Sequence, residues 1–243
     1  MQIWNSKSFQ FPNIFEYFKA FIHLFYPHIC LQCGTDELAD QHILCEYCES
    51  QLPYTNFSLI ENSPVEKMFW GRAKINTVIS ILFFTKDSIV QKIIFELKYK
   101  QNKKAGYLLG KLIAYEITNS NKFDKIDFLI PIPISKKRER NRGFNQAKII
   151  CEAIVANGFK VSIFNGLVKQ KDTATQTHKG RLQRSNYSES LFYLNDPNCL
   201  QNKHLLIVDD VLTTGATIEA VYQCLCVANP ASIHLATAAY TLH

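Results

Sequence analysis

The chain has 243 residues, of which 47% are hydrophobic and 20% are charged, and this composition excludes disorder over most of its length. The length suits one α/β domain with a small appendage, and the formal net charge of +6 gives a mild bias toward polyanions. The first residues show no secretory signal, so we expect a soluble, cytoplasmic protein without a membrane span.

The first predicted element is a short amphipathic helix over residues 13–26. Phe15, Phe18 and Ile22 follow helical spacing, and Pro27 ends the pattern. The segment falls short of the roughly 20 apolar residues that a membrane span requires. A membrane-surface role is the alternative, but few basic residues are present to support one. We therefore expect this helix to pack on its neighbour.

Two Cys-x-x-Cys pairs follow, separated by eleven residues. Each pair can wrap two thiolates around one metal, so together they provide the four ligands of tetrahedral zinc. A closed four-cysteine site is structural, because it leaves no open position for catalysis. The alternative is buried thiols or a redox pair, although a redox motif needs one such pair in a βαβ context. The predicted zinc ligands are Cys30, Cys33, Cys45 and Cys48. We expect a helix and zinc-binding domain over residues 1–55 and an α/β domain over 56–243.

The α/β domain begins with a predicted strand over Thr77–Phe84, followed by helical patterns from Ile89 to Leu97 and from Gly106 to Ile117. A buried strand that starts at Asp127 is ended by prolines, since proline removes a backbone donor from the ladder. The later predictions are a helix that begins near Ala147 and ends before Gly158, and strands at Val161–Val168, Leu191–Leu194, His204–Val208 and Ile233–Tyr240.

Basic residues are concentrated in three windows. Residues 98–104, 136–142 and 169–184 contain 4, 5 and 5 Lys or Arg, which is 14 of the 27 in the chain. Such clusters suit phosphates, whether on a small ligand or along a nucleic acid; solvated helix faces and loops are the alternative. The predicted nucleic-acid contacts are Lys98, Lys100, Arg138, Arg140, Arg142, Lys179 and Arg184. The stretch from Lys169 to Tyr187 lacks periodicity, and loops of this length are often lids or binding loops.

The run His204–Glu219 (HLLIVDDVLTTGATIE) predicts a buried strand, a loop and a helix. Asp209 and Asp210 follow the apolar residues, and their carboxylates can accept hydrogen bonds from a vicinal diol such as that of ribose. The loop that follows provides N–H groups and hydroxyls at a helix N-terminus, where a phosphate binds well. The alternative is that the two acids form a solvated turn and that Thr217 caps the helix. The predicted phosphate-binding residues are Thr213, Thr214, Gly215, Ala216 and Thr217.

The run LLIVDDVLTTGAT closely resembles the signature of type I phosphoribosyltransferases, which bind 5-phosphoribosyl 1-pyrophosphate (PRPP) together with Mg²⁺. The order of the cysteine pairs, LKYK, PIPISKKRERNRGFNQA, QTHKGRLQRSN and this run resembles the ComF competence family over residues 27–241. The resemblance implies an α/β fold with a mainly parallel, Rossmann-like sheet flanked by helices, and a small N-terminal zinc ribbon. Lys136 and Lys137 stand where that family tends to have arginine, so bidentate anion contacts are lost there.

The resemblance also implies site roles. Asp209 and Asp210 would hold the ribose hydroxyls as catalytic residues. The loop from Pro131 to Lys137 would hold the pyrophosphate, through Pro133, Ser135 and Lys136, and Arg181 would meet the departing pyrophosphate with Lys179 and Arg184. Two functions follow: transfer of phosphoribose to an unknown acceptor, or binding of single-stranded DNA by a competence factor in which PRPP is a regulator or a relic. Competence and recombination proteins would be partners.

Overall fold

The computed structural model describes residues 21, 28–36, 38–123, 125–170 and 191–242. The described residues form two compact units, one that ends at Glu49 and one that begins at Ser50. Nearly all of the helix predicted over residues 13–26 lies outside the described residues, as do the predicted anion contacts Lys179, Arg181 and Arg184. Within the part of the chain that is described, no helix is both long enough and apolar enough to cross a membrane.

The first unit is built on turns around the cysteine pairs. Backbone bonds from Cys30 N to the Thr35 oxygen (2.8 Å) and from Leu31 N to the Ile43 oxygen (2.9 Å) hold the two knuckles side by side. Gly34 has φ +78°, which a glycine adopts without strain in the turn after the first pair. Helix α1 (Glu46–Ser50) begins within the second pair.

The second unit contains a parallel sheet of five strands in the order β1-β7-β6-β2-β3. Each pair of neighbouring strands in this sheet is parallel. Two further strands, β4 and β5, form a separate antiparallel pair. The bounds are β1 Thr77–Phe84, β2 Phe128–Pro131, β3 Ser162–Ile163, β4 Leu167–Lys169, β5 Phe192–Leu194, β6 His204–Leu212 and β7 Ser232–Thr241.

Two strand predictions differ from the structure. The single strand predicted over Val161–Val168 is wrong, because the chain leaves the main sheet after β3 and passes through an irregular segment at Gly166 before β4. A side chain there would lie 2.6 Å from the Asn195 carbonyl oxygen, so only glycine allows this close approach. β6 runs beyond Val208 to Leu212, since its ladder with β7 continues as far as Leu212 opposite Tyr240.

Six helices of the second unit are described. Short α2 (Pro64–Lys67) begins with a capping box between Ser63 and Glu66. On α4, Gly106 and Gly110 let the helix approach α6 closely, because a Cβ at Gly110 would lie 2.4 Å from the Ala153 Cβ. The other bounds are α3 Ile89–Tyr99, α4 Lys103–Asn119, α5 Lys136–Arg142, α6 Gln146–Ala156 and α7 Ala216–Cys226.

The connections of the sheet reverse direction between β2 and β6. From β2 the chain proceeds through α5 and α6 to β3 at one edge, whereas from β6 it proceeds through α7 to β7 on the other side. Ligands of open parallel sheets bind outside the carboxyl ends of the strands at such a switch point. The architecture therefore directs attention to the ends of β2 and β6. The predicted α/β class, with a mainly parallel sheet and an N-terminal four-cysteine cluster, is confirmed.

Candidate active site and metal centre

Asp209 and Asp210 lie within β6, where Asp209 is in register with Thr237 of β7. The alternative of a solvated turn is therefore wrong. Asp210 is buried and Asp209 is partly buried. Because successive side chains of a strand leave opposite faces, the two carboxylates start from opposite faces of the sheet near its carboxyl edge. Asp209 Oδ1 accepts a hydrogen bond of 2.9 Å from the backbone N–H of Asp210, which fixes one carboxylate oxygen.

A lysine from another element faces the acidic pair. Lys98 Nζ, in the last turn of α3, lies 2.8 Å from Asp210 Oδ1. Burial and the neighbouring charge of Asp210 raise the pKa of Asp209 to about 7, against the opposing influence of the Asp210 N–H, Lys98 and Arg142. Asp209 therefore changes charge close to neutral pH. The sequence analysis predicted that Lys98 contacts nucleic acid. It did not predict the ion pair between Lys98 and Asp210, because these residues are far apart in the chain.

The loop after β6 leads directly into helix α7. Gly215, with φ +78°, is the N-cap of α7, and its carbonyl accepts the Glu219 N–H at 3.0 Å. Ala216 and Thr217 are the first residues of the helix, so the alternative in which Thr217 is the N-cap is wrong. The first N–H groups of a helix have no partner within it, and the helix dipole favours an anion there. Residues 213–217, which we name the phosphate loop after their predicted ligand, therefore lead into a helix N-terminus of the kind that attracts anions.

Residues from the segment after α2 support this loop, and sequence reasoning missed them. Arg72 Nη1 donates to the Thr214 carbonyl at 3.4 Å, and the same guanidinium forms an ion pair with Glu219 in the first turn of α7. A Cβ at Gly215 would lie 3.0 Å from the ring of Phe69 and 3.2 Å from the Met68 sulfur. No local pattern could have revealed these contacts, because they join segments separated by 142 residues.

The second predicted loop, Pro131–Lys137, begins beside strand β6. Pro131, the last residue of β2, is in register with Val208, and Ile132 N donates to the Val208 carbonyl at 3.1 Å. Ser135 caps α5 by accepting the Arg138 N–H at 3.4 Å. Pro133 and Ser135 are partly buried, while Lys136 is exposed. The structure thus brings the start of the Pro131–Lys137 loop next to the residue that precedes Asp209.

Asn145 holds this loop in position. Its Nδ2 donates to the Ile132 carbonyl at 3.0 Å, and its Oδ1 accepts the Ala147 N–H at 3.1 Å and so caps α6. One side chain therefore joins the loop to the start of a buried helix. The sequence offers a signal for this role, since asparagine is among the best N-cap residues and directly precedes the helix.

Five of the predicted nucleic-acid contacts lie at the end of α3 or on α5. Lys98 and Lys100 flank Tyr99 at the end of α3, and the Arg142 guanidinium lies 5.8 Å from the centre of the Tyr99 ring. None of the residues of α5 is buried, and Tyr99 is 65% exposed. We name this surface the basic face; it comprises Lys98, Tyr99, Lys100, Arg138, Arg140 and Arg142.

The four predicted zinc ligands converge in the first unit. The sulfur atoms of Cys30, Cys33, Cys45 and Cys48 all lie within 4.8 Å of one another, and those of Cys33 and Cys45 are 3.7 Å apart. Tetrahedral zinc with bonds of about 2.3 Å separates its sulfur ligands by about 3.8 Å, so the cluster fits this ion. Burial would raise the pKa of Cys30, but backbone N–H groups of Cys33 and Cys45 outweigh it and lower the pKa to about 6. The cluster is therefore consistent with zinc.

Comparison with known proteins gives concordant matches. The family model of the phosphoribosyl transferase domain matches residues 99–243. The chain is 29% identical over 137 residues to the DNA utilization protein YhgH of Escherichia coli O157:H7, covering 55% of this chain and 59% of that protein. It is 25% identical over 205 residues to the competence protein ComFC of Bacillus subtilis (strain 168), and this match covers 82% of this chain and 71% of that protein. The chain thus spans about 59% of the length of the first relative.

Among solved structures, the chain is similar to a hypoxanthine phosphoribosyl transferase of Trypanosoma cruzi. The identity is 15%, the TM-score is 0.35, and the match covers 58% of this chain and 65% of that one.

Proposed function

Because the chain belongs to the phosphoribosyl transferase domain family, we propose that its second unit binds PRPP with Mg²⁺ and transfers the phosphoribosyl group to an acceptor. The bond between ribose C1 and the pyrophosphate oxygen breaks, pyrophosphate leaves with the bonding electrons, and a nucleophilic atom of the acceptor bonds to C1. The main support for the proposal is that the acidic pair near the carboxyl end of β6 is followed directly by the phosphate loop and helix α7.

In this proposal Asp209 and Asp210 accept hydrogen bonds from the ribose hydroxyls. The Lys98 ammonium lies against Oδ1 of Asp210, which leaves Oδ2 for a hydroxyl. The 5-phosphate binds residues 213–217 at the N-terminus of α7. Arg72 and Phe69 keep the backbone of this loop in place before ligand arrives, so less binding energy is spent on ordering it.

Pyrophosphate would lie toward Pro133, Ser135 and Lys136, where the loop after β2 begins beside β6. Arg181, together with Lys179 and Arg184, would meet the departing group from the segment outside the described residues. Bound magnesium supplies positive charge to the leaving pyrophosphate. The residues present fit this cofactor, since Mg²⁺ is commonly held by one or two carboxylates and the phosphate oxygens of the substrate.

Zinc at the four cysteines would be structural, since all four coordination positions are taken by thiolates. We propose that the activity serves DNA uptake or use, because similar proteins are named competence protein ComFC and DNA utilization protein YhgH. Competence and recombination proteins are the proposed partners.

A thermal-shift assay with PRPP and Mg²⁺ tests the binding step. Wild-type protein should be stabilised, and Asp209→Asn combined with Asp210→Asn should abolish the shift. Asp87→Asn, which removes an exposed carboxylate in the turn before α3, is the control and should keep it. An unchanged shift in the double variant would refute the assignment. Release of pyrophosphate, measured with single-stranded DNA and with a panel of bases, then tests transfer and identifies the acceptor.

Binding of single-stranded DNA is the second candidate function, and the basic face supports it. Arg142 lies over the exposed Tyr99 ring, and the Phe95 ring centre is 5.1 Å from that of Tyr99, so a cationic surface adjoins a platform for bases. Under this second function, PRPP either regulates DNA binding or binds at a site that has lost its catalytic activity. The two functions are compatible, because the basic face adjoins the acidic pair through Lys98.

Salt dependence tests whether the basic face contacts the phosphates of the DNA. The logarithm of the DNA association constant should fall with the logarithm of salt concentration, by about 0.7 for each phosphate contacted on a single strand. Arg138→Gln with Arg140→Gln should reduce this slope. Lys86→Gln with Lys160→Gln removes the same charge from exposed positions elsewhere and should leave the slope unchanged. Equal slopes in the two double variants would exclude the basic face.

A further inference from the structure

The second unit contains a cavity beside α2, the segment that follows it and the start of β1. It has a volume of about 380 Å³, and Phe69 and Trp70 form its aromatic part. Trp70 is 61% exposed whereas Phe69 is buried, so one ring is open to a ligand and the other connects the cavity with the core. The volume falls in the range of small-molecule sites, about 300–1,000 Å³. We name it the Trp70 pocket.

One wall of the Trp70 pocket lies toward the opposite end of the sheet from the phosphate loop. Its wall includes Thr77, the first residue of β1, which is in register with His234 of β7. Leu212, directly before the phosphate loop, is in register with Tyr240. At a rise of about 3.3 Å per residue, the two levels are about 20 Å apart. The proposed ribose site is nearer, because Asp209 is in register with Thr237, about 10 Å from the level of Thr77. None of residues 209–217 lines the pocket, so it is distinct from the proposed ribose and phosphate site.

The charges and polar groups of the pocket select its ligand. Lys122 Nζ lies 3.5 Å from Glu66 and donates to the Ile60 carbonyl at 3.1 Å, so its charge is compensated. Among the described residues, no hydrogen bond or ion pair engages the side chains of Glu61 and Asn62. The pocket therefore offers an uncompensated carboxylate as acceptor and an amide as donor and acceptor, beside an indole ring.

We propose that the Trp70 pocket is an effector site for an amino-substituted nucleobase or its nucleoside. The ring stacks on Trp70, the exocyclic amino group donates to Glu61, and Asn62 pairs with a ring nitrogen or carbonyl. A phosphate group is disfavoured, because the free charge of the pocket is negative. The role as effector, though not the binding itself, rests on the proposed function of the phosphate loop.

The pocket is connected to the phosphate loop by direct contacts. Phe69 lines the pocket and also lies against Gly215. Three residues later, Arg72 donates to the Thr214 carbonyl and pairs with Glu219. A ligand that holds Phe69 and Trp70 in the observed packing therefore orders the loop as well. Coupling between two sites is reciprocal, so effector and PRPP should strengthen each other's binding, by about fivefold or more.

Tryptophan fluorescence tests the pocket without PRPP. The chain has two tryptophans, so Trp4→Phe leaves Trp70 as the reporter. Adenosine should change the fluorescence saturably, adenosine 5′-monophosphate should bind more weakly, and uridine, which lacks an amino group, should bind more weakly still. Glu61→Gln should weaken adenosine binding, while the exposed control Asp87→Asn should not. A fluorescence change that does not saturate, or an unaltered affinity in Glu61→Gln, would overturn the assignment.

Hydrogen exchange tests the coupling independently of PRPP. Adenosine should slow exchange of the amides of residues 213–217, and Glu61→Gln should remove this protection. In calorimetry, adenosine should then tighten PRPP binding by about fivefold. Saturable binding without protection of the loop would overturn the effector role. Protection of the loop in protein that fails to bind PRPP would instead refute the proposed function and leave the pocket in place.

Discussion

The ammonium of Lys98 lies 2.8 Å from Oδ1 of Asp210, and this ion pair joins the end of α3 to the strand that carries both acidic residues. Exposure of the two side chains is 20% and 10%, so the attraction is weakly screened by solvent. The pair has an electrostatic consequence for the adjacent Asp209, whose pKa is raised to about 7 even with Lys98 present.

The first prediction concerns the pH dependence of PRPP binding. Because only the ionised carboxylate is a pure acceptor, protonation of Asp209 below pH 7 should weaken binding, by about tenfold for each pH unit. Lys98→Met removes a charge that lowers the pKa of Asp209, so the midpoint should move to higher pH. Calorimetry between pH 6 and 8.5 measures it, and Lys100→Met is the matched control. If the two variants have the same pH profile, the role of Lys98 is contradicted. Because both are measured with the same ligand, titration of the ligand itself affects the two profiles equally.

The second prediction concerns Gly215. Gly215→Ala forces a residue with a Cβ into φ +78°, and the new atom meets Phe69 at 3.0 Å. Gly71→Ala is the matched control, since Gly71 has φ +73° but no atom within 4 Å of the new Cβ. Both should lose about 1 kcal/mol of unfolding free energy, and Gly215→Ala should lose a further 1 kcal/mol or more. Urea denaturation measures the difference. Equal losses would show that Phe69 yields freely to the added methyl group.

The third prediction concerns acid stability. His234 Nε2 and His204 Nδ1 each lie 2.8 Å from Ser232 Oγ. Burial and the nearby His204 lower the pKa of His234 from 6.5 to about 4. The folded state therefore favours the neutral His234 imidazole. The free energy of unfolding that this preference contributes is fully present above pH 6.5 and is lost as the pH falls toward 4. The loss should be about 3 kcal/mol.

Urea denaturation at pH 7, 5.5 and 4.5 measures this loss. His234→Leu keeps an apolar contact with the Phe123 ring, which lies 5.6 Å away between ring centres, and should reduce the acid sensitivity. His42→Gln replaces an exposed histidine and should leave the loss in place. If His234→Leu has the same acid dependence as the wild-type protein, another group is responsible.

The fourth prediction concerns the metal. Purified protein should contain about one zinc per chain by elemental analysis, and Cys33→Ser should lower that content. Cys199→Ser, at a cysteine outside the cluster, should retain full zinc. Since metal binding and folding are linked, a strong chelator should lower the temperature at which the protein unfolds. Zinc-free protein with unaltered thermal stability would refute the structural role.

Much of the fold could be predicted because its signals are local. Strand β1 begins and ends as predicted. Helix α3 begins at the predicted residue and extends two residues beyond Leu97, and α4 extends its predicted pattern by three residues at the start and two at the end. Asn102, whose side chain accepts the Lys104 N–H at 3.1 Å, explains why α4 begins three residues before Gly106. Predictions failed where a long-range contact decides the path, as at Gly166, where the neighbouring chain approaches too closely for a side chain.

The sequence by itself determined the order of chemical groups: paired thiols at ligand spacing, and an acidic pair followed by a small-residue loop and a helix. Those groups are neighbours along the chain, so their types and spacing carry the information. Only the tertiary structure decided which residues contact these groups: Lys98 contacts Asp210, and Arg72 and Phe69 contact the phosphate loop. It also formed the Trp70 pocket. These partners come from other elements, and only the packing of helices against the sheet brings them together.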